Sequence, residues 1–301
     1  MACANYLKER GCQVSLFDKG RGPGGRMSTR RIAHDGREFR FDHGAQYFSV
    51  KDEEFARQMK AWAGAGIVAR WPQDKPDAWV GTPGMNAPLQ HMAQDLDIAF
   101  GTRIVGMQKQ GNSYLLQSGS GTLPQHFDSI AVAVPAEQAT TLLGTMDFGM
   151  ARHAVAVSSA PCWTLMCAFA EKLDGAPESY RSDGAIAWAA RNSAKPDRDA
   201  EECWVVQAGT GWSRKNLELE PQAVVPLLLE EFAQALRMEL PEPLLATAHR
   251  WRFAFPTADN AGCLWDPEKR LGACGDWLAG ATVEDAWLSG RQLARTMLRE
   301  G

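Results

Sequence analysis

The residues best suited to chemistry lie in one stretch near the N-terminus: Val14-Ser15-Leu16-Phe17-Asp18-Lys19-Gly20-Arg21-Gly22-Pro23-Gly24-Gly25-Arg26-Met27. An apolar strand ends in an acid, and a glycine-rich loop carrying two arginines follows. Glycine lets backbone approach a ligand closely, and guanidinium matches phosphate oxygens in planar pairs. An acid at the tip of such a strand suits the two hydroxyls of an adenosine ribose. Asp-Lys-Gly alone would read as a solvated surface turn. With Gly-Gly-Arg attached and a second motif near the C-terminus, the stretch reads as part of a dinucleotide site.

That second motif is Leu271-Gly272-Ala273-Cys274-Gly275-Asp276-Trp277-Leu278-Ala279-Gly280-Ala281-Thr282-Val283-Glu284-Asp285. A strand leads to Gly275-Asp276, then a small-residue loop, then a helix. Thr282 is placed to cap that helix, with Asp285 at its third position. Val283, Ala286, Trp287, Gly290, Leu293, Ala294 and Met297 share one apolar face, so the helix is expected to be buried on one side. Its N-terminus offers free N–H groups and partial positive charge to an electron-rich ligand edge.

The rest of the composition excludes several classes. The chain has 301 residues, 45% hydrophobic and 23% charged, typical of globular protein. A net charge of −4 gives no electrostatic footprint for nucleic acid or an anionic membrane. No apolar run is long enough for a bilayer span, and Met1–Arg10 lacks the layout of a signal peptide, so a cytoplasmic location is expected. Seven cysteines, an odd set without a Cys-x-x-Cys pair, read as reduced thiols, and six histidines show no metal-ligand spacing, so no metal is expected. Eleven tryptophans fit a core, and a share of them would also fit the wall of a flat aromatic ligand.

The elements that must position these residues follow in order. Residues 2–10 read as a helix stopped by Gly11, and 12–18 as a buried strand. Together they make the second half of a β-α-β nucleotide-binding unit. The fingerprint Gly-x-Gly-x-x-Gly belongs about 20 residues before the acid, which falls at or before Met1. The expectation is therefore an N-terminal truncation that removes the central strand and its phosphate turn. A hairpin follows, with Asp35-Gly36 as its turn. His43-Gly44-Ala45-Gln46-Tyr47-Phe48 suits a turn packed on a planar ring, or equally an ordinary strand-to-helix turn. A helix over 52–63 presents Phe55, Met59 and Trp62, and a meander spans about 102–127. Ile130–Val134 reads as a buried parallel strand. Long apolar strands at 162–170, 185–190 and 202–208 and a helix near 226–238 suggest an antiparallel-sheet domain. The chain then returns to the first domain through a strand at 247–253, a short strand at 270–274 and a closing helix.

The Asp18–Arg26 loop, the Asp42–Phe48 stretch, and Gly275-Asp276 with Val283–Gly290 together resemble the FAD-dependent amine-oxidase superfamily. Within it the likeness is to renalase and its bacterial relatives. Thr82-Pro83-Gly84-Met85, Ala190–Ser193 with Lys195-Pro196, Trp204-Val205-Val206 with Trp212-Ser213, and His249–Ala254 extend the likeness over nearly the whole chain. The implied fold is α/β (α+β overall): a Rossmann-like FAD-binding domain with a second, antiparallel-sheet substrate domain, both discontinuous. Residues 1–50, 85–145 and 247–301 would form the first, and 51–84 and 146–246 the second.

The resemblance also implies roles. Asp18 would bind the adenosine ribose with Lys19 beside it, and Gly25 and Arg26 would reach the pyrophosphate and ribityl region. Ala45 and Gln46 would flank the isoalloxazine ring, and Ile104 or Val105 would offer backbone bonds to adenine. Gly275 and Asp276 would hold the ribityl chain, and Thr282 and Val283 would present N–H groups near flavin O2. Tyr47, His249, Trp251 and Arg252 are the flavin-side candidates. His249 is alternatively a structural hydrogen-bonder in its strand, and Arg191 and Arg252 are placed to meet a substrate phosphate or to pair with carboxylates. The implied activity is oxidation of dihydro-NAD(P) isomers, with hydride transfer to flavin N5 and return of electrons to O2. Amine oxidation is the alternative. A third expectation follows from the absent phosphate turn: a chain poor in FAD and inactive. Partners would be a small-molecule substrate and O2, with no nucleic acid and no membrane.

Overall fold

A computed structural model of the chain describes residues 1–72 and 75–300. Two units emerge, each assembled from separated stretches. One comprises Met1–Pro23, Leu89–Ser159 and Pro256–Gly301; the other Gly24–Pro88 and Ala160–Phe255. The mixed α/β class read from the sequence is the one observed.

In the first unit, helix Ala2–Lys8 stops at Gly11, whose φ of +84° needs glycine. Strand Ser15–Asp18 pairs in parallel with Asp97–Phe100. Ile130–Val132 pairs in parallel with Leu271–Ala273, and Leu264–Asp266 adds an antiparallel edge. Between these pairs run the antiparallel meander Ile104–Gln110, Ser113–Ser118 and Gly121–Phe127 and the helices Ala136–Leu143 and Phe148–Ala156. Those two helices carry no clear apolar period beyond Pro135, and the sequence reading assigned neither. Their small residues Ala136, Ala139, Ala151 and Ala154 bury against Val132, Leu271 and Trp277 in the larger core cluster. The closing helix Val283–Glu300 buries Trp287, Leu293 and Ala294 as its apolar face predicts. It lies on the first helix, close enough at Gly290 that an added Cβ would sit 3.1 Å from the Cys3 nitrogen.

The second unit is built on a five-stranded sheet in the order Ser179–Arg181, Ile186–Arg191, Glu202–Ala208, Ser159–Phe169, Leu245–Pro256. The strands expected at 162–170, 185–190 and 202–208 are three of its members, and the strand expected at 247–253 joins them at the sheet edge beside Ser159–Phe169 rather than returning to the first unit. Helix Pro221–Leu236 covers one face through Val224, Leu228 and Phe232, with Trp163 and Trp204 beneath. It starts five residues before the expected position. Pro226 marks a helix start by propensity, but Pro221 takes the first-turn place, where a missing N–H is harmless, and Pro226 is carried inside. The hairpin Thr29–His34 and Arg37–Asp42 packs Phe39 and Phe41 on the other face against Met166, Cys203 and Val205. Its turn residues Asp35 and Gly36 both have positive φ, 47° and 74°, as a two-residue hairpin requires. Helix Glu53–Gly64 is capped by Asp52, which accepts from the Glu54 and Phe55 N–H groups at 2.7 and 3.0 Å.

Candidate functional site

Each unit carries its own share of the expected site residues. In the first, Asp18 ends its strand with one carboxylate oxygen accepting the Gly20 N–H at 2.7 Å. Its backbone carbonyl accepts the Thr102 N–H, and the Gly20 carbonyl accepts the Gly101 N–H. The acid is thus held on a fixed loop. Lys19 donates to Gln138 Oε1 at 3.1 Å on the surface. Ile104 is paired with Ser118, while a bulge takes Val105 out of register and leaves it 47% exposed.

Gly275 has φ of +155°, and a side chain there would meet the Trp277 ring. Its N–H donates to Ser289 Oγ at 2.9 Å, and that hydroxyl donates to the Gly262 carbonyl. Asp276 is buried directly after it, and its carbonyl accepts the Ala279, Gly280 and Ala281 N–H groups. The capping box forms as the spacing requires. Thr282 N and Oγ1 both donate to Asp285 Oδ2, at 3.0 and 2.5 Å, and Asp285 N–H donates back to Thr282 Oγ1 at 3.2 Å. Val283 opens the helix proper, at its positive end.

In the second unit, Gly24 and Gly25 take φ of +152° and +51°, turning the backbone so that Arg26 donates to the Ala254 carbonyl at 3.3 Å. The Arg26 carbonyl accepts the Ala45 N–H at 2.8 Å. Gly44 sits against that same carbonyl so tightly that any Cβ would collide with it. The Gly24–Arg26 and Gly44–Gln46 loops are therefore packed back to back, and Gln207 fixes the second by donating to the Gly44 carbonyl at 2.7 Å.

Gln46 leads to a charged cluster that sequence reasoning missed. Its Nε2 donates to the Asp42 and Gly44 carbonyls, and its Oε1 accepts from Lys195 Nζ at 3.1 Å. Lys195 also reaches Asp42 Oδ2 at 3.3 Å, and Arg198 forks onto that oxygen at 2.7 and 3.1 Å. Thr29 Oγ1 and the Met85 N–H occupy the other Asp42 oxygen. All three charged side chains are essentially inaccessible. Burial pushes the Asp42 carboxyl up, but Lys195, Arg198 and the two hydrogen bonds outweigh it and hold the acid well below the ordinary range. Burial lowers Lys195 to about 8 against the pull of Asp42. The cluster combines one anion with two cations. Lys195 and Arg198 lie about 150 residues from Asp42, with no shared period, so spacing carried no signal. The only hint was that Lys195-Pro196 and Asp42-His43 both belong to the stretches that resemble the family.

The flavin-side candidates separate. His43, His249 and Trp251 form one ring cluster, with centroids 4.4 to 5.0 Å apart. Trp251 Nε1 donates to the His43 carbonyl at 2.8 Å, and His43 Nδ1 lies 3.1 Å from the Ser28 carbonyl. Burial, then the facing His249 and Arg30, lower His43 to about 3; burial and Arg30 lower His249 to about 4. Both imidazoles are neutral at pH 7. Tyr47 Oη accepts from Arg181 at 3.0 Å. Arg252 lies apart on the surface, forked onto Glu218 at 2.7 and 2.8 Å. Arg191 is buried and paired with Glu202 at 3.0 Å, the carboxylate-pairing alternative.

No group of described residues could hold a metal ion. No helix of the described residues is long and apolar enough to cross a membrane.

A model of flavin containing amine oxidoreductases matches residues 66–298, and a model of NAD(P)-binding Rossmann-like domains matches residues 1–61. The chain belongs to the flavin-containing amine oxidoreductase family. It is accordingly an FAD-dependent oxidoreductase, with a Rossmann-like domain at its start. Its fold is similar to that of a protein described as a protoporphyrinogen oxidase from Exiguobacterium sp. 255-15, with a TM-score of 0.77 at 11% identity over 100% of this chain and 96% of that one. Putrescine oxidase bound to putrescine gives 0.70 at 12% identity, over 99% and 96% of the two chains. Cyclohexylamine oxidase from Brevibacterium oxydans gives 0.70 at 12%, with the same coverage.

The donor set fits the family's cofactor. In the first unit a fixed acid stands at a parallel strand end, a side chain at Gly275 would meet Trp277, and a capped helix begins beyond Asp276; in the second, a side chain at Gly24 would meet Ser28 and Gly25 takes a φ of +51°.

Proposed function

We propose that the chain is a renalase-like oxidase of dihydro-NAD(P) isomers, in which the hydride sits on an unusual carbon of the pyridine ring. When bound, FAD supplies the hydride-accepting N5 and passes the electrons to O2, giving hydrogen peroxide. Asp18 and Lys19 would hold the adenosine end, with the bulged backbone of Ile104 and Val105 beside adenine. Gly25 and Arg26 would serve the pyrophosphate, and Gly275 and Asp276 the ribityl chain. Ala45 and Gln46 would flank the ring, and Thr282 and Val283 would turn the positive end of their helix toward its O2 edge, where negative charge develops on reduction. Tyr47, His249 and Trp251 would bound the substrate, and Arg252 would act only if released from Glu218.

The observation that carries this reading is the charge beside Gln46. Its one buried carboxylate, Asp42, is consumed by Lys195 and Arg198, leaving an excess of positive charge. Net positive charge buried beside a ring-flanking residue raises the local potential in favour of an anionic dinucleotide and against an alkylammonium. Hydride transfer from a dihydropyridine also needs no general base, which agrees with two imidazoles held neutral and weakly basic. Amine oxidation is the second reading, favoured by the likeness to putrescine and cyclohexylamine oxidases.

The test is anaerobic mixing of the FAD-loaded protein with dihydro-NAD isomers and, separately, with simple amines. Bleaching of the flavin band by an isomer and not by amines is expected. Rapid bleaching by amines alone would overturn the proposal in favour of amine oxidation.

A further inference from the structure

Three strands of the second unit's sheet end side by side, and a cavity of about 430 Å³ opens at those ends. Phe169 closes one strand and pairs with Glu202, the first residue of the next; Arg191 closes the third. The hairpin residues Arg37 and Phe39 add to the wall. Small-molecule sites span roughly 300–1,000 Å³, and this cavity lies in that range. All of its lining belongs to the second unit, and Ala45, Gln46, Tyr47, His249 and Trp251 take no part in it. The decisive pair is Arg191 and Glu202, whose side chains are each only 8% exposed and meet through Nε and Oε1 at 3.0 Å. Glu202 Oε1 is crowded, since it also accepts the Leu173 N–H at 3.1 Å and the Trp204 Nε1–H at 2.8 Å. The other oxygen, Oε2, accepts no hydrogen bond from the described residues. Arg191 is divided in the same way. Its Nε serves Glu202 and its Nη2 the Leu173 and Ala176 carbonyls, while Nη1 has no acceptor among the described residues. Neither free atom is among the polar atoms sealed from solvent, so both are reached from the cavity that their residues line. A charged atom in a side chain this deeply buried is costly unless a partner meets it.

We infer that this cavity binds a small zwitterion of the α-amino acid class, with its ammonium on Glu202 Oε2, its carboxylate on Arg191 Nη1 and an apolar side chain against Phe39 and Phe169. An ammonium supplies only donors and a carboxylate only acceptors, so the two free atoms together ask for both groups on one molecule. A neutral amide also carries a donor and an acceptor, but it would answer two full charges with dipoles alone. The remaining charges point the same way. Arg37 and Lys172 are balanced in the lining by Glu178 and Glu201, so neither a net anion nor a net cation is favoured. Leu244, 38% exposed, joins the two buried phenylalanines as apolar contact. The site stands apart from the oxidation reading and holds whichever compound reduces the flavin.

Calorimetric titration of the FAD-loaded protein with L-leucine tests the inference. Binding with a Kd of about 1 mM or tighter is expected. N-acetyl-leucine lacks the ammonium and 3-methylbutylamine the carboxylate, and each should bind about 10-fold or more weakly than leucine. Ala200→Trp fills the cavity from an exposed lining position. Glu202→Gln removes the anion while keeping an amide oxygen for the Leu173, Arg191 and Trp204 donors. Both variants should weaken leucine by about 10-fold or more. No heat of binding from leucine up to about 20 mM overturns the inference. So does leucine binding within about twofold of the unaltered protein in Ala200→Trp, because the amino acid then sits elsewhere. Either analogue binding as tightly as leucine overturns the zwitterion. Should Glu202→Gln fail to fold, Ala200→Trp and the two analogues decide the matter. Failure of the dihydropyridine reading looks different: there no dihydropyridine isomer bleaches the flavin, and these titrations are unaffected.

Discussion

Replacing Asp42 by Asn removes one charge from a cluster of three and leaves two cations buried with no anion. Lys195 and Arg198 lie 3.3 and 2.7 Å from Asp42 Oδ2, and none of the three side chains is more than 2% exposed. The Thr29 and Met85 bonds survive on the amide oxygen, but the amide nitrogen then faces two donors. Removing one partner of a buried ion pair costs about 3–5 kcal/mol, against a total stability of about 5–15 kcal/mol. Lys195→Met is the informative counterpart. It leaves the forked Asp42–Arg198 pair intact and neutral overall, keeps the apolar stem volume, and forfeits the bonds to Asp42 and Gln46. Its expected cost is below about 2 kcal/mol, because swapping a buried charge for a packed apolar group is often close to neutral. Urea unfolding followed by tryptophan fluorescence reads both. Equal losses for the two variants, or a loss under about 1 kcal/mol for Asp42→Asn, would refute the electrostatic account of this cluster.

Lys195 also predicts a pH effect. Its folded value of about 8 lies below the ordinary 10.5, so between those values the unfolded chain binds the extra proton and stability rises with pH; the rise should be missing in Lys195→Met. The two histidines act at the acid end. With folded values of about 3 and 4, they stay neutral where the unfolded chain is protonated, so stability is lost as pH falls from about 6.5, and acid unfolding curves of His249→Gln should be shallower. Gly44→Ala drives a Cβ into the Arg26 carbonyl, and the expected result is protein that no longer retains flavin after gel filtration. Asp18→Ala should weaken FAD rebinding to the stripped protein by roughly 10- to 100-fold, read by quenching of FAD fluorescence, if this acid accepts the ribose hydroxyls.

Elements written in local code were legible in the sequence. Asp35-Gly36 specified its turn, Thr282 with Asp285 its cap, and the spacing of Phe55, Met59 and Trp62 a helix face. Each depends on neighbours within four residues. The class, the family likeness and the cofactor followed from glycine-and-acid motifs that are also local. Helices rich in alanine after Pro135 escaped notice because small residues give a weak apolar period, and only tertiary packing reveals their buried side. The start of Pro221–Leu236 was misplaced because two prolines competed for one role. The Asp42–Lys195–Arg198 cluster was invisible for a different reason: charge pairing across 150 residues leaves no mark on either stretch of sequence.

The packing of the first helix on the closing one bears on how the chain is made. Cys3, Tyr6 and Leu7 share a cluster with Leu293 and Ala294, and Arg295 reaches Tyr6 across 289 residues. At about 5–20 residues per second a ribosome needs about 15–60 s to traverse that interval. Throughout it, the apolar face of Ala2–Lys8 waits without its partner, while Ala160–Phe255, which completes the unit begun by Gly24–Pro88, is made before Leu293 and Ala294. The nascent chain therefore completes its second unit first and its first unit last, and the early helix is where a chaperone has the longest opportunity to bind.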